Sequence, residues 1–262
     1  PSTPFPMFID SHCHLDFPEL AENLPQLLAN MAANQVSHAL CVSVDLPDFP
    51  KVRALAEAHS NLFASVGVHP DYQETPEPTV AELVKLADHP RIVAIGETGL
   101  DYFRLKGDLE WQRERFRTHI RAARETGKPL IIHTREAAAD TIRIMQEEGA
   151  GEAGGVMHCF TESWEVAEQA MELGFYISFS GIVTFKKALA LKDVAKRIPR
   201  ERMLIEPDSP YLAPPPYRGK TNEPAWVKHV AEEIARLRDI PVDEVGQSTS
   251  INYFKLFKHA IE

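Results

Sequence analysis

Eight short apolar runs, most of them followed by a longer segment of helical periodicity, constrain this chain more than any other feature. The runs are MFIDSHCH (7–14), HALCVSV (38–44), LFASVGVH (62–69), RIVAIGET (91–98), PLIIHT (129–134), GGVMHCF (154–160), GFYISFSG (174–181) and RMLIEPD (202–208). Their Val, Ile and Phe content and their polar ends mark them as strands. Helix candidates start near Phe17, Asp48 and Thr79. A fourth, over 108–127, places Trp111, Phe116, Ile120 and Ala123 on one face and stops at Gly127, a C-terminal cap. Others cover 136–149, 163–174 and 186–198, and two more, 223–239 and 242–262, close the chain.

Strands that alternate with helices pair in parallel through right-handed crossovers. Eight such units in 262 residues match an α/β fold of the (β/α)₈ TIM barrel type. An open doubly wound sheet would need fewer strands, and no GxGxxG turn is present. No linker is visible, so residues 7–262 are expected to form a single domain, with 1–6 a short extension or a cloning remnant. The prolines of LAPPPYRGKTNEP mark a long loop after the eighth strand.

Composition excludes more than it selects. A formal net charge of −10 argues against coating nucleic acid by bulk electrostatics, though not against gripping a phosphate locally with metal ions. No apolar stretch approaches the roughly 20 residues of a membrane helix, and the N-terminus lacks the features of a signal peptide. Three scattered cysteines, Cys13, Cys41 and Cys159, argue for a reducing compartment. A cytoplasmic monomer is the expectation.

In a barrel the catalytic groups stand at the C-terminal ends of the strands. Strand one ends in His12-Cys13-His14 and strand three in His69. Strand four ends in Glu97, strand five in His133, strand six in His158, and strand eight in Glu206 and Asp208. Residues two apart on a strand face the same way, so His12 and His14 can share an ion. Singly, His133 or His158 would read as a satisfied core histidine, and Glu97 as a buried carboxylate paired with a base. Gathered at five strand ends, they would be a costly burden for a core without metal. Imidazole with carboxylate suits Zn, Mn, Fe or Ni, and pure oxygen sites favour Mg. Glu97, on the strand between those carrying the other ligands, is the natural bridge between two cations. Cys13 and Cys159 should point away from the histidines beside them if the strands are regular.

These same residues carry a resemblance. FIDSHCHLD, SVGVHP, AIGETGLDY, PLIIHTREA, GVMHCFTES, GFYISFSG, LIEPDSPYLAP and RGKTNEP stand in the order and spacing of the TatD family of metal-dependent deoxyribonucleases, within the amidohydrolase superfamily. The likeness runs from Met7 to about Phe257. It implies that His12, His14, Glu97 and Asp208 surround one divalent ion, and that Glu97, His133 and His158 surround a second. It also implies that His69 stands beside the scissile phosphate, with Arg135, Arg218 and Lys220 as phosphate contacts. One position departs from the family's Glu-Thr-Asp: here it reads Glu206-Pro207-Asp208. Proline lacks an N–H and fixes φ, so Pro207 is expected to shift Asp208 slightly or lower activity.

The expected chemistry is exonucleolytic hydrolysis of DNA phosphodiester bonds, on single strands or at ends, by a water activated between two metal ions (Mg, Mn or Zn). Asp208 would accept the water's proton, with Glu97 between the ions and His69 or a metal-bound water assisting the leaving group. Tyr102, Phe103 and Phe160 could stack on bases. Arg104, Lys106, Lys186 and Lys187 are the other cations available for a groove. Two alternatives stand beside this reading: a hydrolase of a small phosphoester, lactone or amide, and a metal-loaded interaction or quality-control protein with vestigial activity.

Overall fold

The computed structural model describes residues 8–260, so the expectations for 1–7 and for the last two residues lie outside it. Eight strands form one parallel sheet in sequence order. They are β1 (Phe8–Cys13), β2 (Val36–Cys41), β3 (Leu62–Val66), β4 (Ile92–Asp101), β5 (Leu130–Arg135), β6 (Gly155–Met157), β7 (Tyr176–Phe179) and β8 (Met203–Ile205). The sheet curls until β1 meets the segment after β8, where Cys13 bridges Ser209 and the His14 N–H donates to the Ser209 carbonyl at 3.0 Å. This is the expected TIM barrel.

The helices around it are α1 (Pro18–Ala21), α2 (Leu24–Ala33), α3 (Phe49–Ala58), α4 (Val80–Ala87), α5 (Glu110–Thr126), α6 (Ala138–Glu147), α7 (Trp164–Glu172), α8 (Leu189–Arg197), α9 (Val227–Arg238) and α10 (Val242–Leu256). The first expected helix is split in two, with Pro25 in the first turn of α2, where its missing N–H is harmless. Thr79 and Ser163 cap α4 and α7 by accepting from the N–H three residues on. α5 ends at Gly127 with φ 69°, the left-handed cap the sequence suggested.

Two apolar clusters hold these layers together. The larger packs the helices against the outside of the barrel. The smaller joins Ile9, Leu40, Phe63, Val93, Ile131, Val156 and Leu204, drawn from seven strands, to Tyr253, Leu256 and Phe257. Only the barrel axis lets so many strands share one cluster, so α10 and its extension plug the barrel's N-terminal end. Polar side chains are thereby confined to the opposite mouth.

Candidate metal centre

Four departures from regular strand geometry build the mouth. β4 carries a register shift between Gly96 and Thr98, and the bulge aims Glu97 inward. β4 also runs three residues past Thr98, where the sequence reading stopped it, and so brings Asp101 to the mouth. β6 ends at Met157, and Cys159 sits at φ 45°. Asp208, past the end of β8, sits at φ 56°. Non-glycine residues in the left-handed region cost about 1–3 kcal/mol each and persist where the surroundings enforce them.

Glu97 is buried at the centre, and its two oxygens face different partners. Oε1 lies 3.3 Å from His12 Nε2 and 3.9 Å from His14 Nε2. Oε2 lies 3.2 Å from His69 Nε2, 3.3 Å from His133 Nδ1 and 3.1 Å from His158 Nε2. Asp208 Oδ1 is 3.6 Å from both His12 Nε2 and His14 Nε2. All the ligand candidates named from the sequence therefore converge on one cluster. Pro207 has not kept Asp208 out of it.

The outward ring nitrogens decide whether these histidines fit a metal. His14 Nδ1 donates to the Val42 carbonyl at 3.2 Å, and His133 Nε2 donates to Asp101 Oδ2 at 2.8 Å. His158 turns Nδ1 toward Glu206 Oε1 in an ionic contact of 2.6 Å. An acceptor behind the ring keeps a proton on the outer nitrogen and leaves the inner one to give its lone pair to a cation, the arrangement metal-ligating histidines adopt. The inner nitrogens of these three rings converge on carboxylate oxygens, a donor set that calls for a cation. The residues present fit one.

His69 is different. Its Nδ1 accepts from the Asp71 N–H at 3.0 Å, so in the neutral ring the proton sits on Nε2, facing Glu97. It points a donor, not a lone pair, at the centre.

Electrostatics match the geometry. Burial alone would raise the Glu97 carboxyl, but His69, His158 and His12 outweigh it and hold it well below the usual carboxylate range. Burial likewise opposes the shift of Asp208, and His158, His14 and His12 reverse it, so that this carboxyl is lowered. His133 is pushed up to about 9 because Asp101 and Glu97 overcome burial. His12 moves down through burial and the neighbouring His158 ring, stacked at 3.6 Å between centroids.

A cavity of about 770 Å³ opens above the cluster, lined by His69, Asp101, Arg104, Arg135, Cys159 and Tyr211 among others. Arg135 lines it with its guanidinium 3.7 Å over the Phe103 ring. Several expectations need correcting here. Phe160 is 2% exposed and has no face to offer a base. Tyr102 is tied down by donating to Asp140 and accepting from Arg113, and does not line the cavity. The exposed aromatics are instead Phe103 (45%) and Tyr211 (54%). Arg218 and Lys220 stand outside the lining, Arg218 lying 3.9 Å over the Phe185 ring. Cys159 faces the cavity instead of pointing away, because its left-handed backbone breaks strand alternation. Asp101, Phe17, Tyr72 and Tyr211 were missed; only Asp101 had a signal, four residues after Glu97 in the same apolar run.

The family model for TatD related DNase matches residues 9–258. The chain belongs to the TatD family. Among its TatD-family relatives is the uncharacterized metal-dependent hydrolase YcfH of Escherichia coli K12, 47% identical over 252 residues and 95% of each chain. Another is the 3'-5' ssDNA/RNA exonuclease TatD of Edwardsiella piscicida, 31% identical over 96% of this chain and 100% of that one. The crystal structure of the TatD homologue YJJV from Escherichia coli K12 superimposes with a TM-score of 0.90 at 29% identity, covering 97% of this chain and 98% of its own. This is a metal-dependent hydrolase family on a TIM barrel. Among the described residues no helix is long and apolar enough to cross a membrane.

Proposed function

We propose that this chain is an exonuclease that hydrolyses phosphodiester bonds of DNA, on single strands or at ends, with two divalent ions. The observation that carries the proposal is the division of Glu97, whose Oε1 faces His12 and His14 while Oε2 faces His133 and His158. In this reading His12, His14, Glu97 and Asp208 hold one ion, and Glu97, His133 and His158 hold the other. Two such ions supply an acidified water and charge neutralisation on the phosphate.

The chain's own residues do the rest. Asp208 stays ionised among the imidazoles and takes the water's proton. His69, with its proton on Nε2, donates to the leaving oxygen. Arg135 and Arg104 offer guanidinium donors to non-bridging oxygens inside the cavity. Arg218, Lys220, Lys186 and Lys187 lie on loops after β7 and β8 and suit phosphates further along a strand. Phe103 and Tyr211 present faces on which unpaired bases can stack. The activity named for the relative from Edwardsiella piscicida supports the substrate class. Three unpaired cysteines fit a cytoplasmic setting, and the reading takes the chain as a monomer.

The test is hydrolysis of end-labelled single-stranded DNA by chelator-stripped protein with Mg²⁺, Mn²⁺ or Zn²⁺ restored. Stepwise shortening that needs metal and is lost in Glu97→Ala and Asp208→Asn is expected. Bound metal without cleavage of DNA, together with turnover of a small phosphoester or lactone, would overturn the nuclease reading.

A further inference from the structure

Asp101 lies at the end of β4, buried behind the cluster, and its two carboxylate oxygens have separate tasks. Oδ2 accepts from His133 Nε2 at 2.8 Å. Oδ1 accepts from the backbone N–H of Phe103 at 2.9 Å and of Arg104 at 3.4 Å. The backbone of Asp101 is itself held by a side chain of α5. Gln112 accepts from the Asp101 N–H at 2.9 Å and donates to the Asp101 carbonyl at 3.1 Å and the Pro70 carbonyl at 3.2 Å. One turn on, Arg115 donates to the His69 and Tyr72 carbonyls, each at 2.8 Å. A buried polar face of α5 thus fixes the chain on either side of the centre.

We infer that Asp101 is a positioning residue that sets which nitrogen of His133 carries the proton, and thereby whether His133 can take a divalent ion. The inference rests on the two-ion reading above. With Nε2–H held by Asp101, Nδ1 is the nitrogen turned to Glu97 Oε2 at 3.3 Å, and its lone pair becomes available on that side once a divalent ion displaces the proton there. Without that acceptor, nothing favours this tautomer. Because Oδ1 also caps the Phe103 and Arg104 amides, the same carboxylate joins His133 to the wall of the cavity that carries Arg104.

Asparagine makes the sharpest probe, since it matches aspartate in shape. If its Oδ1 keeps the two backbone donors, its NH₂ meets His133 Nε2–H, donor against donor. If it flips, the NH₂ meets the two backbone amides instead. The conflict with the ring is relieved when the proton leaves Nε2 through solvent and a new N–H bond forms at Nδ1. That consumes the lone pair the ion needs. Carboxylates that orient a ligating histidine are worth about 10–100-fold in metal affinity.

The experiment is calorimetric titration of Mn²⁺ into chelator-stripped wild type, Asp101→Asn, Asp101→Glu, His133→Ala and the Asp101→Asn/His133→Ala double variant. Thermal unfolding of each stripped protein is measured in parallel. The wild type is expected to take two ions, and Asp101→Asn to bind the weaker one about 10–100-fold less tightly. Asp101→Glu keeps the charge but displaces the carboxylate, and the same loss is expected. In the His133→Ala background, Asp101→Asn should add nothing, because the two residues act as one unit. Equal affinities in wild type and Asp101→Asn, or a loss that persists without His133, would overturn the assignment. A wild type that takes one ion would overturn the two-ion reading instead, and Asp101→Asn matching it in affinity would dismiss Asp101 as well.

Discussion

Gly99 and His133 face each other across β4 and β5 so closely that a β-carbon on Gly99 would stand 1.9 Å from the His133 carbonyl oxygen. Gly99 also has φ 129°, where a side chain is strained in any case. Gly99→Ala must push β5 outward and take His133 with it. The expected result is a destabilisation of about 1–3 kcal/mol or more, read as a lower urea midpoint, together with lost metal uptake. An unchanged midpoint would show that the strands give way freely at this point.

Glu97 offers one carboxylate oxygen to each half of the cluster, Oε1 to His12 and His14 and Oε2 to His133 and His158. Glu97→Gln is therefore expected to weaken both ions, whereas His14→Ala should weaken one and His158→Ala the other. Metal content measured on each purified variant at limiting Mn²⁺ checks this. Loss of both ions from His14→Ala alone would argue for a single shared position.

His119 on α5 gives a pH dependence with a definite sign. Its Nε2 accepts from the Val68 N–H at 2.9 Å, and its Nδ1 donates to the Arg115 carbonyl at 2.7 Å, so the ring is held neutral. Burial pushes its pKa down from 6.5 to about 4. Between those values the unfolded chain binds a proton that the native chain does not. The stabilisation is complete above about pH 6.5 and is lost as pH falls toward 4, amounting to about 3 kcal/mol. The urea midpoint of wild type should drop more steeply over that window than that of His119→Gln. Parallel curves would refute this.

Phe103 and Tyr211 are the exposed aromatics beside the cavity. Phe103→Ala and Tyr211→Ala should each raise KM for single-stranded DNA by an amount worth about 1–3 kcal/mol. Turnover of bis-p-nitrophenyl phosphate, which has no bases, should stay within error. If both substrates suffer alike, the rings act on the centre and not on bases.

Pro207→Thr restores an N–H and a hydroxyl beside Asp208. A modest rise in turnover is expected, measured at saturating metal. Unchanged turnover and metal content would dismiss any role for the proline.

The barrel was legible from sequence because eight apolar runs with intervening helical periods have few other ways to bury themselves. The ligand set was legible because each of its His, Glu and Asp residues closes such a run, and a barrel gathers strand ends at one mouth. Local geometry was not legible. The bulge at Glu97 decides which oxygen meets which histidine, and it arises from register against β5, not from the GETG sequence alone. Tyr102 and Phe103 are adjacent and chemically alike, yet one is locked to Asp140 and Arg113 while the other is exposed beneath Arg135, because α5 and α6 pack on one side only. Asp101 meets His133 only because β4 extends three residues beyond the apolar pattern and Gln112 clamps its end. Sequence by itself determined the barrel and which strand ends carry the ligand groups, since apolar runs must be buried and a barrel gathers their ends at one mouth. Tertiary structure decided their partners and protons, since these depend on distances of a few ångströms between elements far apart in the chain.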